Sequence, residues 1–468
     1  MKKERVIDII RSWKNTEGNV HTTDELLQWI KELNETTHVS VERASVYDSD
    51  FWFYDDYNGE ILNRKRSFFS VKGMRLFVND HFVKEQPMIF QPEIGYLGII
   101  VRKIDGVLNF LMQAKVEPGN VNCVQISPTI QATKSNFTRA HGGKLPAYFE
   151  MFEHSERYEI LYDQVQSEQA SRFLKKRNRN IMIVVDDEFE ILPNFRWMTL
   201  GQIKELMKVD NLVNMDARTV LSGISFVTGQ ISDPEKEEIA SEMSANLPLY
   251  HSAFETDISE TLQPVLHYLN DYKMFQEVHK TDIPLFELID WTVDEYGVRC
   301  EKGYPFEVAY FDIEISGREV RHWTQPLFVA SGQAVFVLYA KEENGNLQFL
   351  VRACPEIGSF DKIECGPTLQ LEATEHPDLR NPVELLYERI SAKKEPVETL
   401  VDVVLSEEGG RFYHEQNRNM IIKIAPDALP TLPEGYFWMD YSALNFLIQS
   451  YNYANIQLRN LLSLLPLS

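Results

Sequence analysis

Residues 86–180 return, 239 positions later, as residues 325–419. QPMIF (86–90) falls on QPLFV (325–329), and NFLMQAKVEPG (109–119) on QFLVRACPEIG (348–358). QISPTIQ (125–131) falls on ECGPTLQ (364–370), SEQASRF (167–173) on SEEGGRF (406–412), and NRN (178–180) on NRN (417–419). After a slip of two, FRWM (195–198) meets YFWM (436–439). Chance similarity does not hold register without a gap over about ninety residues, so the chain is an internal duplication. Two copies of one unit must each fold into the same element order.

That order is mixed. A helical stretch, TTDELLQWIKELNE with Thr22 or Thr23 as N-cap, precedes FWFYDDYNGEI; in the second copy ISETLQPVLHYLNDY precedes DWTVDEYGVRC. Short strand-like runs follow in the first copy: FFSVKG, GYLGIIVRK, LNFLMQAKV, RYEILYDQVQ and IMIVV, closed by helical segments near LGQIKELM and ARTVLSGIS. Strands interleaved with a few helices predict an α/β (α+β) sandwich in each half. The polar, Pro-bounded stretch from about 223 to 260 reads as a linker with a lead-in helix. The expected domains are residues 1–228 and 229–468.

With 468 residues and a formal charge of −23, the chain is matched neither to nucleic acid nor to an anionic membrane. An anionic ligand would need a local basic pocket. Four cysteines without a CxxC pair fit a reducing cytoplasm. MKKERVIDIIRSW breaks up its apolar residues with charge, unlike a secretory signal. No run approaches the roughly 18 apolar residues of a spanning helix.

The stretch VQISPTIQATKSN (124–136) alternates with period two, the mark of a strand with one dry and one polar face. Its polar positions, Gln125, Ser127, Thr129, Gln131, Thr133 and Ser135, are all uncharged. Such a lattice of amides and hydroxyls suits a polyhydroxylated ligand; a solvated edge strand is the plainer reading. The second copy places Glu364, Gly366, Thr368, Gln370, Glu372 and Thr374 at the same positions. Nearby, Lys115 faces Cys354, and KKRNR (175–179) faces HEQNR (414–418). The first copy therefore keeps a cationic cluster suited to phosphate, which a solvated basic loop would also explain.

GxGxxG, P-loop, GxSxG and zinc-ligand spacings are all absent from the chain. AKVEPGN (114–120) remains. Lys115 and Glu117, two apart on a strand, leave the same face; a carboxylate beside a cation can act as base while the cation favours an enolate. A structural ion pair beside an Glu-Pro-Gly turn is the alternative.

AKVEPGNVNCVQISPTIQATKSNFTRAHGG, followed by QSEQASRFLKKRNRN, resembles the NDP-hexose 2,3-dehydratases of deoxysugar biosynthesis over nearly the whole chain. The resemblance implies two tandem Nudix-like domains, a homodimer, no metal or redox cofactor, and a nucleotide-sugar substrate, generally dTDP-linked. It implies dehydration of an NDP-4-keto-6-deoxyglucose to a 3,4-diketo-2,6-dideoxy sugar. No REUxEExGU helix is found, so pyrophosphate hydrolysis is not expected. On this reading Glu117 transfers the proton, Lys115 stabilises the enolate, and Tyr148 is a second proton shuttle. Gln125, Ser127, Thr129, Gln131, Thr133, Ser135 and Asn136 hold sugar oxygens. Glu168, Gln169 and Asn178 lie beside them, and Arg172, Lys176, Arg177 and Arg179 meet the diphosphate. Phe68–Phe69 or Trp52 provides a shelf for the base. Where the family tends to carry a His-containing segment before the paired Phe residues, this chain reads NRKRSFF (63–69). The second copy is expected to be non-catalytic, structural or a vestigial pocket. Another NDP-4-keto-sugar lyase or isomerase, and a non-catalytic NDP-sugar-binding protein, are the alternatives.

Overall fold

In a computed structural model, residues 3–66, 68–134, 145–224, 226, 231–317 and 320–467 are described. The segments that keep register between the copies become the same seven-stranded sheet in each. In the first copy its order is Glu159–Ser167, Arg177–Val184, Ile94–Ile104, Val107–Val116, Phe195–Met198. The second copy repeats it as Glu398–Ser406, Gln416–Lys423, Val335–Glu343, Asn346–Cys354, with Tyr436–Asp440 on the same flank. The run IMIVV lies in the sheet interior, pairing in parallel with Ile94–Ile104. Ile181, Met182 and Ile183 are wholly buried, which is why that run is apolar at every position rather than at alternate ones. The chain is thus α/β, built as a tandem duplication.

The stretch 124–136 differs from its sequence expectation. It is two short strands, Val124–Ser127 on Val107–Val116 and Ile130–Ala132 on Ile94–Ile104. The break falls at Pro128, which has no N–H to give a ladder. The Thr129 hydroxyl closes the gap, accepting from Ile100 N at 2.9 Å and donating to Leu111 O. Thr368 does the same with Tyr339 N and Leu350 O. A residue kept in both copies is here a splice between strands.

Helices follow the capping signals. Thr22 accepts from Glu25 N while the Glu25 carboxylate accepts from Thr22 N, a capping box that starts the helix Thr23–Thr36. The stretch read as a linker with a lead-in helix holds the helices Asp233–Glu242 and Leu247–Phe254 before Ile258–Phe275. No helix among the described residues is long and apolar enough to cross a membrane.

Each half also owns a smaller sheet, and here the copies trade strands. Val39–Arg43, which leads the first copy, pairs antiparallel with Phe306–Ile315 of the second. Val278–Ile283, which leads the second, pairs with Ser70–Val78 of the first. Between the large sheets, one apolar core runs through both halves, with Phe226 against Tyr441 at 5.8 Å. Buried arginines tie the same seam: Arg218 donates to Ser406 O at 2.8 Å, and Arg459 to Ser167 O.

Candidate active site

A cavity of about 710 Å³ opens beside the first copy's large sheet. Lys115, Glu117 and Gln131 line its floor, with Glu168, Lys176, Asn178 and Asp216 around them. First-copy residues Phe51, Trp52 and Phe68 form one further wall, and the second copy supplies another: Trp323, Gln325, Glu408, Gly410 and Arg411. Gly119 makes that closure possible. Its N–H donates to Gly409 O at 2.7 Å, and a Cβ at Gly119 would sit 1.6 Å from Phe412 O. The Glu-Pro-Gly turn is therefore the place where the loop SEEGGRF of one half presses onto the strand end of the other.

Lys115 Nζ lies 3.1 Å from Glu117 Oε1. Gln131 Nε2 donates to the same oxygen at 3.1 Å, and Asn214 Nδ2 donates to Gln131 Oε1 at 3.2 Å. Asp216 is 2% exposed on the helix Met215–Leu221. Burial, then the charges of Glu408, Glu168 and Glu117, hold its carboxyl well above the usual carboxylate range. Glu168, which accepts from Asn178 Nδ2 at 2.6 Å, is pushed up to about 8 by burial and by Glu408. Burial also raises Glu408, against the pull of Arg411. Arg411 Cζ stands 4.7 and 4.5 Å above the rings of Phe68 and Phe69, and its Nη2 donates to Gln91 Oε1 at 3.0 Å. The site thus brings together a lysine–carboxylate pair, carboxyls that burial raises above the usual range, and a cation on an aromatic wall.

The site residues expected from sequence divide. Lys115, Glu117, Gln131, Thr133, Glu168, Lys176 and Asn178 line the cavity. Lys176 donates to Glu93 O at 2.6 Å, and burial lowers its basicity. Ser135 and Asn136 lie outside the described residues. Gln125, Ser127 and Thr129 are corrected: all are at most 1% exposed and bonded within the protein. Gln125 Nε2 donates across the seam to Ser406 Oγ at 2.6 Å, and Ser127 Oγ to Pro128 O at 3.3 Å. Their polarity answers the needs of a closed interior.

Arg172 is also corrected. It is 2% exposed and reaches into the second half, where it forms a bidentate pair with Glu372 and stacks 4.2 Å from Phe306. Arg177 stacks 3.7 Å above Phe360, and Arg179 pairs with Asp163 at 2.6 Å; neither lines the cavity. Gln169 is buried away from it. Tyr148 Oη donates to Glu190 O at 3.0 Å and accepts from Leu192 N at 2.9 Å, edge-on to Phe195, so it packs a loop. Phe69 is buried behind Phe68; Phe68, Phe51 and Trp52 face the space.

Asp216, Glu408 and Arg411 were not among the expected residues. Asp216 was legible: two positions of slip set it opposite Gln457. Glu408 and Arg411 align with Gln169 and Arg172, yet both line the first half's cavity, while Arg172 pairs with Glu372 of the second half.

The second copy keeps the frame without the lysine. Gln370 Nε2 donates to Glu356 Oε1 at 3.0 Å and Asn455 Nδ2 to Gln370 Oε1 at 3.1 Å, but Cys354 replaces Lys115. There Arg172 and Glu372 stand together.

The sequence model for NDP-hexose 2,3-dehydratase matches residues 23–224 and again 262–465. The chain belongs to this family. Among its relatives, a dTDP-4-dehydro-6-deoxy-alpha-D-glucopyranose 2,3-dehydratase of Streptomyces violaceoruber is 36% identical, covering 93% of this chain and 95% of its own. Proteins of the same name from Saccharopolyspora spinosa (36% identical; 92% and 87% covered) and Amycolatopsis orientalis (32%; 97% and 92%) are similar along their length. The family's double match corresponds to the two copies read from the sequence, and the cavity lies where the first match is completed by the second.

Proposed function

We propose that this 2,3-dehydratase family member is an enzyme that removes water from dTDP-4-keto-6-deoxyglucose at the first-repeat cavity. The observation that carries this is the Lys115–Glu117 pair lining one enclosure with the buried Asp216, whose carboxyl burial holds above the usual range. The C4 ketone acidifies the C3 proton. Glu117 takes that proton, and the electrons move onto the C4 oxygen, where the Lys115 ammonium stabilises the enolate. When the enolate collapses, the C2–O bond breaks and Asp216 protonates the departing hydroxyl. The C2–C3 enol then gives up its O3 proton and gains one at C2, leaving the 3,4-diketone. Lys176 and Arg411 meet the diphosphate, Phe68 and Trp52 the base.

Residues 1–228 are assigned as the catalytic repeat and 229–468 as the repeat without turnover, supported by Cys354 and Gln457 at the positions of Lys115 and Asp216. A cytoplasmic homodimer is the working form; four free cysteines support the reducing location. Incubation with dTDP-4-keto-6-deoxyglucose in heavy water, read by mass spectrometry, tests the reading. Loss of one water with deuterium at C2 is expected. Exchange at C3 without loss of water would mark an isomerase, and binding without change a sugar-nucleotide receptor; either rules the proposal out.

A further inference from the structure

Asn214 sits outside the shell that the reaction requires, yet every polar atom of its side chain is committed. Its Oδ1 accepts from Ala217 N at 2.8 Å, capping the helix Met215–Leu221. Its backbone N–H donates to Ile126 O at 2.9 Å, pinning that cap to the strand Val124–Ser127. With the oxygen spent on the cap, only the amide Nδ2 can face Gln131, and it donates to Gln131 Oε1. Gln131 is then left with one orientation, its own NH₂ toward Glu117 Oε1. A helix cap thereby sets, through two amides, which groups face the carboxylate.

We propose that Asn214 is a positioning residue for the dehydration: it holds Gln131 so that an N–H, and not a carbonyl, meets Glu117 beside Lys115. This rests on the reading of Glu117 as the base. Turned over, Gln131 would aim its carbonyl oxygen at the carboxylate, displacing the base from the C3 proton and disfavouring its charged form. Among the described residues, the groups facing Glu117 include Lys115, Gln131, Asp216 and Glu408.

The duplication provides a matched control, because Asn455 caps Ile456–Ser463 and orients Gln370 toward Glu356 in the same way. The full chain is made as Asn214→Ser and as Asn455→Ser. Serine keeps a cap acceptor but lacks the amide. With dTDP-4-keto-6-deoxyglucose, N214S is expected to lower kcat about tenfold or more, a barrier change of about 1.4 kcal/mol. KM should change little, and the acid limb of kcat/KM should move to higher pH. N455S should keep kcat within about twofold, well below that tenfold step. N214S in a Gln131→Leu background should cost nothing beyond Q131L, since Asn214 acts only through Gln131. Asn214→Asp, which keeps the cap oxygen and the size, serves if N214S melts early. Equal losses in N214S and N455S, or additive losses with Q131L, would overturn the assignment. A wild-type chain without turnover would instead defeat the dehydratase reading itself.

Discussion

Arg172 of the first repeat and Glu372 of the second form a bidentate pair, with Nη2–Oε2 at 2.8 Å, inside the second half of the molecule. Its counterpart Arg411 lies inside the first half, over Phe68 and Phe69. The two arginines of the duplicated SExxxRF segments have therefore exchanged places, and they have different work to do.

Replacing Arg172 with Met leaves the half-buried Glu372 and the buried Glu415 without their cation. Breaking such a pair costs about 3–5 kcal/mol. A lower midpoint in urea unfolding is expected, with the KM for dTDP-sugar nearly unchanged. A KM that rises steeply in a stable protein would return Arg172 to the diphosphate.

Arg411→Met should act in the opposite way. Losing charge-assisted hydrogen bonds worth about 1.5–3 kcal/mol should raise KM roughly tenfold to a hundredfold, although the residue belongs to the repeat that lacks the Lys115–Asp216 set. Steady-state kinetics on R411M decides this.

Asp216→Asn removes the proposed acid but keeps its shape, and kcat should fall by about 10²–10⁴-fold. The pH dependence has a definite sign. An acid that must be protonated fails as pH rises, so activity should decline on the alkaline side, where Glu168 at about 8 and Asp216 above the usual range release protons. Stability runs in step. Between its unfolded and raised folded values the native carboxyl holds more protons than the unfolded one, so stability falls as pH rises across that window. Melting curves at acidic and alkaline pH should accordingly show D216N gaining on wild type as pH increases.

Thr129→Val tests the splice between strands. Ile100 N and Leu111 O lose their buried partner, at about 1–3 kcal/mol for each group left unsatisfied. The protein should melt earlier while kcat per folded molecule holds. A selective loss of kcat would put Thr129 back among the sugar contacts.

Fragments 1–228 and 229–468, expressed apart, each lack the strand that completes a small sheet, Val278–Ile283 or Val39–Arg43. Neither should turn over substrate, and co-expression should restore activity in a co-purifying pair. Activity from the first fragment alone would contradict the exchange.

How much of this was legible depends on distance along the chain. The repeat, the strand runs and the Thr22 cap were readable because periodicity and capping are local: neighbours in sequence set the face a side chain takes and the donor it satisfies. Lys115 and Glu117 were found for the same reason, being two apart on one strand. The polar face of 124–136 misled because period two shows that side chains share a face but not what covers it. Gln125 turned out to face the seam and Ser127 to be wholly buried, while among the described polar positions of the stretch Gln131 and Thr133 reached the cavity.

What the chain alone determined is the twofold plan and the identity of each strand, written into short-range pattern and repeated. What only the tertiary structure decided is which copy each side chain serves. Strand exchange and the contact of Gly119 with Gly409 bring Glu408 and Arg411 to Glu117 across nearly three hundred residues. No local preference encodes that meeting; it follows from burying two half-finished sheets against each other, where apolar area and unpaired backbone leave a single closed arrangement.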